Sequence, residues 1–91
     1  MKTRWSLPAV NELNHIFQYI ASDNEEAAHR VMERIGVTIE RASRMPYSAR
    51  AGRHPRIREL VVPGTPYIVV YEIAKDSICI ATILRGAQNR S

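Results

Sequence analysis

Cysteine and lysine are almost missing from this chain. Its 91 residues include one Cys, Cys79, and two Lys, Lys2 and Lys75. A single thiol excludes a disulfide within the chain, which suits a reducing compartment, and the expectation is a cytoplasmic protein. Cys79 lies in Ile78-Cys79-Ile80-Ala81 and reads as a small buried apolar residue. The three His, at 15, 29 and 54, show no ligand spacing with each other or with the Cys, so no metal is expected. Gly36, Gly52, Gly64 and Gly86 are scattered, which excludes a glycine loop of the kind that cradles phosphate. No serine nucleophile motif is present. No apolar run approaches the length of a membrane span, and the N-terminus has no apolar signal core, so no membrane role is expected. Nothing calls for a cofactor.

What remains is enough for one small domain, residues 1–91, with 45% apolar residues to build a single core. The formal net charge is +4, and eleven of the 13 basic residues are Arg. Arg is the better fork for phosphate and carboxylate; its abundance also fits a GC-rich genome. The distribution says more than the total. Between Arg44 and Arg58 there are five Arg and one His and no acid. Such a block fits a polyanion or an acidic protein partner, and it also fits a solvated loop.

The periodicity predicts the elements. Lys2 to Leu7 is a short candidate edge strand carrying Trp5. Ser6 suits an N-cap, Pro8 a first helical turn, and Val10, Leu13, Ile16, Phe17 and Ile20 recur at helical spacing to about Ser22. Asp23 is placed to cap a second helix and Glu26 to close a capping box. Ala28, Val31, Met32, Ile35, Ile39 and Ala42 form that helix's stripe, and Met45-Pro46 stops it. Gly36 in its middle suggests a close approach of the first helix. Residues 46–55 read as a loop. Ile57–Val62, Tyr67–Ile73 and Ser77–Leu84 read as strands, joined by Pro63-Gly64-Thr65-Pro66 and Ala74-Lys75-Asp76. Connections this short predict a meander. The expected fold is α+β, ordered β-α-α-β-β-β, with a two-helix N-terminal hairpin packed on an antiparallel sheet.

Strand alternation puts Arg56, Arg58, Leu60 and Val62 on one face. Arg85 ends the last strand, with Cys79, Ala81 and Ile83 on its side. If that strand lies beside the hairpin, Arg85 approaches Arg58, and converging guanidiniums would hold a phosphate. Glu59 points to the opposite face, where it serves either as a general base or as an Arg partner. His54 is the one imidazole of the basic block and so its candidate proton-transfer group. Arg50, His54 and Arg56 are candidate contacts to a polyanion, of which RNA is one. Tyr47, Tyr67 and Tyr71 either stack on bases or pack in the core.

Several fragments together resemble the RelE/ParE superfamily of bacterial type II toxins. They are Trp5-Ser6 and the helix after it, Tyr19-Ile20-Ala21 with Asn24 and Ala27-Ala28, Gly52-Arg53, Arg58-Glu59-Leu60-Val61-Val62, Pro66-Tyr67-Ile68-Val69-Val70-Tyr71, and Ile83-Leu84-Arg85-Gly86-Ala87. The resemblance covers nearly the whole chain. It implies a growth-inhibiting toxin neutralised by a cognate antitoxin, with one of two targets. RelE-like members cut mRNA on the ribosome without metal; ParE-like members poison DNA gyrase and are not nucleases. Metal-free cleavage needs cations at the phosphate and groups that move protons. Arg58 and Arg85 fall where the family places two such cations, and Arg53 or Arg56 would supply a third. The tail from Gly86 to Ser91 lacks the Tyr or His that nuclease members tend to carry there. The expectation leans to mRNA cleavage with Arg58, Arg85 and Arg53 as the catalytic set, gyrase being the alternative.

Overall fold

The computed structural model describes residues 1–86. The expected tail difference lies mostly in residues 87–91, outside the described residues. The element order is β1 (Lys2–Trp5), α1 (Leu7–Ala21), α2 (Glu25–Arg44), β2 (Arg50–Ala51), β3 (Ile57–Val61), β4 (Tyr67–Ile73) and β5 (Ser77–Arg85). The α+β architecture is the expected one, with one added strand, β2.

The helices start where their caps are. Ser6 Oγ accepts from Ala9 N at 3.2 Å and donates to Ala81 O at 2.8 Å, so one hydroxyl caps α1 and ties it to β5. In α2 the cap is Asn24 rather than the expected Asp23. Asn24 has extended backbone angles, and its Oδ1 accepts from Ala27 N at 3.0 Å. The N–H groups of Asp23 and Asn24 both close the end of α1 on Ile20 O, at 3.0 and 2.8 Å, so α2 starts one residue later than the pattern predicts, at Glu25, and Asn24 takes the cap position. Glu25 and Glu26 occupy the first turn of α2 and Arg41 and Arg44 the last, as the helix dipole favours.

Gly36 corrects a second expectation. It is exposed on α2, and a Cβ built there meets nothing within 4 Å, so it mediates no close approach to α1. It carries only the entropic cost of glycine in a helix. Gly36→Ala is therefore expected to stabilise the chain by about 0.5–1 kcal/mol, read as a rise in the urea midpoint at unchanged slope.

The five strands form one sheet in the order β1-β5-β4-β3-β2. The β2-β3-β4-β5 meander is antiparallel, whereas β1 pairs parallel with β5. The residues read as a loop before β3 contain the two-residue β2, too short to show a pattern. In the β3–β4 turn Gly64 has φ 78°, a conformation that glycine takes without strain. Between Val70↔Thr82 and Tyr71↔Ile80 the register of β4 with β5 slips, leaving Ala81 as the extra residue of a bulge. The bulge reverses alternation along β5. Ile78 and Ile80 thus share the helix-covered face with Ile83 and Arg85, and Cys79 is displaced to the open face opposite Glu72. Cys79 is consequently half-buried rather than part of the core, and it does not share a side with Arg85.

The core lies between the helices and one sheet face. Ile35, Ile39 and Ala42 of α2 and Ala9 of α1 meet Val69, Tyr71, Ile73, Ile78, Ile80 and Ile83, with Leu13, Ile16 and Ile20 packed around them. Beyond the end of β1, α1 covers the edge of β5. Glu12 Oε1 accepts from Ile83 N at 2.8 Å and from Thr82 Oγ1, satisfying an edge donor with a carboxylate.

Candidate functional site

The cationic residues fall into three separate places. Register fixes the first two. Arg58 stands opposite Tyr71 of β4, and Arg85 stands opposite Tyr67 of the same strand. Both therefore project from the helix-covered face, but from opposite ends of it. Four residues along β4 span roughly 13 Å and two strand spacings roughly 10 Å, so their Cα atoms are about 16 Å apart. Between them runs the row Leu60–Val69–Ile83, which belongs to the core or packs against it. The expected convergence of Arg58 and Arg85 over one phosphate does not occur, because packed apolar side chains fill the space that the anion would need.

Arg58 is turned toward the loop after α2. Its Nη1 donates to Ala49 O at 3.1 Å and its guanidinium lies over the Tyr47 ring, 5.1 Å from the centroid. Its Nε is buried and has no partner. Beside it the buried Tyr71 donates from its OH to Pro46 O at 2.7 Å. Two side chains from neighbouring strands thus hold the carbonyls of Pro46 and Ala49, and Tyr47 closes over the guanidinium.

Burial raises the Tyr71 phenol above its ordinary value near 10, with the Arg58 charge opposing the rise. The folded-state value exceeds the unfolded one, so this group's contribution to stability is whole below about pH 10 and is lost as pH rises through the folded value. The melting temperature should then fall more steeply above about pH 10 in the native chain than in Tyr71→Phe. Near neutrality the same substitution should cost about 1 kcal/mol for the lost hydrogen bond.

The remaining residues of the basic block stay outside both environments. Arg53, His54 and Arg56 are exposed at the bend between β2 and β3. His54 Nδ1 accepts from Arg56 N at 3.2 Å, which is local turn chemistry. Arg50 is on the open sheet face, 3.7 Å from Glu59, with 82% of its side chain exposed. Glu59 thus meets an Arg partner and points away from Arg58, as alternation requires. Tyr67 and Tyr71 are core residues. The candidate RNA contacts Arg50, His54 and Arg56 are therefore distributed over a turn tip and the opposite sheet face from Arg58 and Arg85.

Around Arg85 the structure assembles something that strand alternation does not show. A cleft of about 420 Å³ opens between α1 and the end of the sheet, lined by Glu12, His15, Ile16, Tyr19, Tyr67, Ile83 and Arg85. The Arg85 guanidinium lies 5.9 Å from the centroid of the Tyr67 ring. Glu12, His15, Ile16 and Tyr19 share one face of α1 by helical spacing, a signal present in the sequence. Which strand that face meets was not. Among the described residues no group of three or more His, Cys, Asp or Glu is placed to hold a metal ion, and no helix is long and apolar enough to cross a membrane.

Comparison with known proteins supplies the kinship. A family model described as "ParE toxin of type II toxin-antitoxin system, parDE" matches residues 3–90. A Sinorhizobium fredii (strain NBRC 101917 / NGR234) protein named "Putative toxin Y4kP" is 39% identical over 87 residues, covering 96% of this chain and 90% of that protein. Among solved structures, a chain of the "Chromosomal ParDE TA system from P. aeruginosa" superposes with a TM-score of 0.79 at 20% identity, over 93% of this chain and 95% of that one, a likeness of fold. Fold order, the fragments from Trp5 to Arg85 and the span of the family match agree: this chain belongs to the ParE toxin family of type II toxin-antitoxin systems.

Proposed function

We propose that this chain inhibits bacterial growth by acting on DNA gyrase without cutting RNA, and that a cognate antitoxin protein neutralises it. The observation that carries this reading over mRNA cleavage is the separation of Arg58 from Arg85. A metal-free nuclease has to gather cations on one pentavalent phosphate. Here one guanidinium is spent on Ala49 O and Tyr47, and the other stands on the far side of the core row. Membership of the ParE family supports the same choice.

On this reading the exposed bend with Arg53, His54 and Arg56 is a contact surface and not a catalytic set. An exposed basic surface steers association with DNA or a DNA-bound enzyme. The test is direct. Purified toxin is added to a gyrase supercoiling reaction, and transcripts from induced cells are examined by primer extension. Loss of supercoiling with intact transcripts supports the proposal; new ribosome-dependent cuts with normal supercoiling would reject it.

A further inference from the structure

We infer that the groove between α2 and the β3–β4 turn grips the phosphate backbone of duplex DNA through Arg30, Arg34 and Arg41. This rests on the reading that the target works on DNA, which selects a DNA duplex among polyanions.

The groove, about 340 Å³, is walled by α2 and bounded by Pro63 of the turn. Its three arginines lie outside the basic block between Arg44 and Arg58. Arg30, Arg34 and Arg41 fall on one stripe of α2, which spans about 16 Å at the rise of a helix. One strand of a duplex presents roughly five phosphates over that length. Arg34 is held in place, because its Nη1 donates to Pro63 O at 3.2 Å. A Cβ built on Gly64 would lie 2.6 Å from the same Nη1, so a side chain there would push the guanidinium aside. That bond uses one donor of a five-donor fork and leaves the rest for an anion. Arg30 and Arg41 are exposed and form no salt bridge among the described residues.

The lining selects the kind of polyanion. Among the described residues Glu33 is the one acid in it, so three Arg and one Glu leave a net charge of +2. The rest of the surface comes from Val37, Thr38 and Pro63. No aromatic ring lines the groove, so the bases of a single strand would find nothing to stack on. The centre of a protein interface is apolar and poor in charge, which this groove is not. Arginines in line on an exposed helix fit the phosphate contacts that position a protein on a duplex without reading its sequence.

The experiment follows the fluorescence anisotropy of a short labelled DNA duplex titrated with the full-length toxin over a salt series. Each phosphate contact contributes a slope of about −0.9 in log affinity against log salt, so the native chain should show about −2.7 or steeper. Arg30→Gln combined with Arg41→Gln should flatten that slope by about 1.8 and weaken binding at least about tenfold near about 0.1 M salt. Arg30→Gln alone leaves the last turn of α2 intact and should flatten it by about 0.9. Lys2→Gln combined with Arg4→Gln takes the same two charges from exposed positions on β1, lowering the net from +4 to +2 as the first pair does. That control should stay within about threefold of the native chain, because it touches no phosphate contact. Equal losses in the two pairs would show a response to net charge alone and overturn the inference. So would absence of duplex binding by a native chain that blocks supercoiling. Both results leave the gyrase reading intact, whereas a native chain that leaves supercoiling untouched overturns that reading and the DNA assignment with it. Groove variants that keep the duplex but lose gyrase assayed without DNA would reject the DNA assignment in favour of a protein surface.

Discussion

Arg58→Ala is expected to lower the melting temperature by roughly 10 °C. The substitution removes a charged hydrogen bond to Ala49 O and the cation–π contact with Tyr47. The first is worth about 1.5–3 kcal/mol and the second about 0.5–1 kcal/mol at a partly exposed site. Some of this is offset because the buried, unpartnered Nε is removed as well. A net loss of about 2 kcal/mol in a domain of this size corresponds to that shift. Arg58→Lys should recover only part of it, since an ammonium cannot lie flat on the Tyr47 ring while reaching the carbonyl. Thermal melts of the three proteins decide the matter. An Arg58→Ala chain that melts with the native protein would show that the guanidinium does not fasten the loop, and would return it to the list of free cations.

The second large effect concerns the target. If gyrase is the target, toxin at molar excess should abolish supercoiling and accumulate cleaved DNA, while mRNA from induced cells stays uncut. Arg85→Ala is the sharper variant for this purpose, because Arg58→Ala confounds activity with stability. Under mRNA cleavage, loss of one phosphate-binding cation should cost two or more orders of magnitude in rate. Under gyrase poisoning, an Arg85→Ala chain should still block supercoiling, since that activity needs no cation on a scissile phosphate. Loss of all toxicity in Arg85→Ala, together with mRNA cuts by the native chain, would restore the nuclease reading. Full toxicity in Arg85→Ala with transcripts left intact would support the gyrase reading.

Local patterns carried much of this molecule. The α1 stripe, the Ser6 cap, the stop at Met45-Pro46 and the three long strands all rest on neighbours within a few residues, where hydrogen bonding and side-chain periodicity act directly. Alternation correctly put Glu59 opposite Arg58, because β3 is regular. Alternation failed on β5, because the bulge at Ala81 is a property of the β4–β5 pairing and not of either strand alone. The cap of α2 falls on Asn24 rather than Asp23 for a related reason: the end of α1 takes up both N–H groups, and where that end lies sets the first residue of α2.

The sequence by itself determined the order of the helices and long strands, the family, the excess of arginine and the absence of a disulfide within the chain, since each is a matter of residue type and short spacing. Only the tertiary structure decided what the arginines do. The position of Arg58 over Tyr47, the core row that parts it from Arg85, and the cleft that joins Arg85 to Tyr19 all depend on strand register and on where α1 docks. Those are set by burying one continuous apolar face between helices and sheet, a cooperative solution of the whole chain that no local stretch encodes.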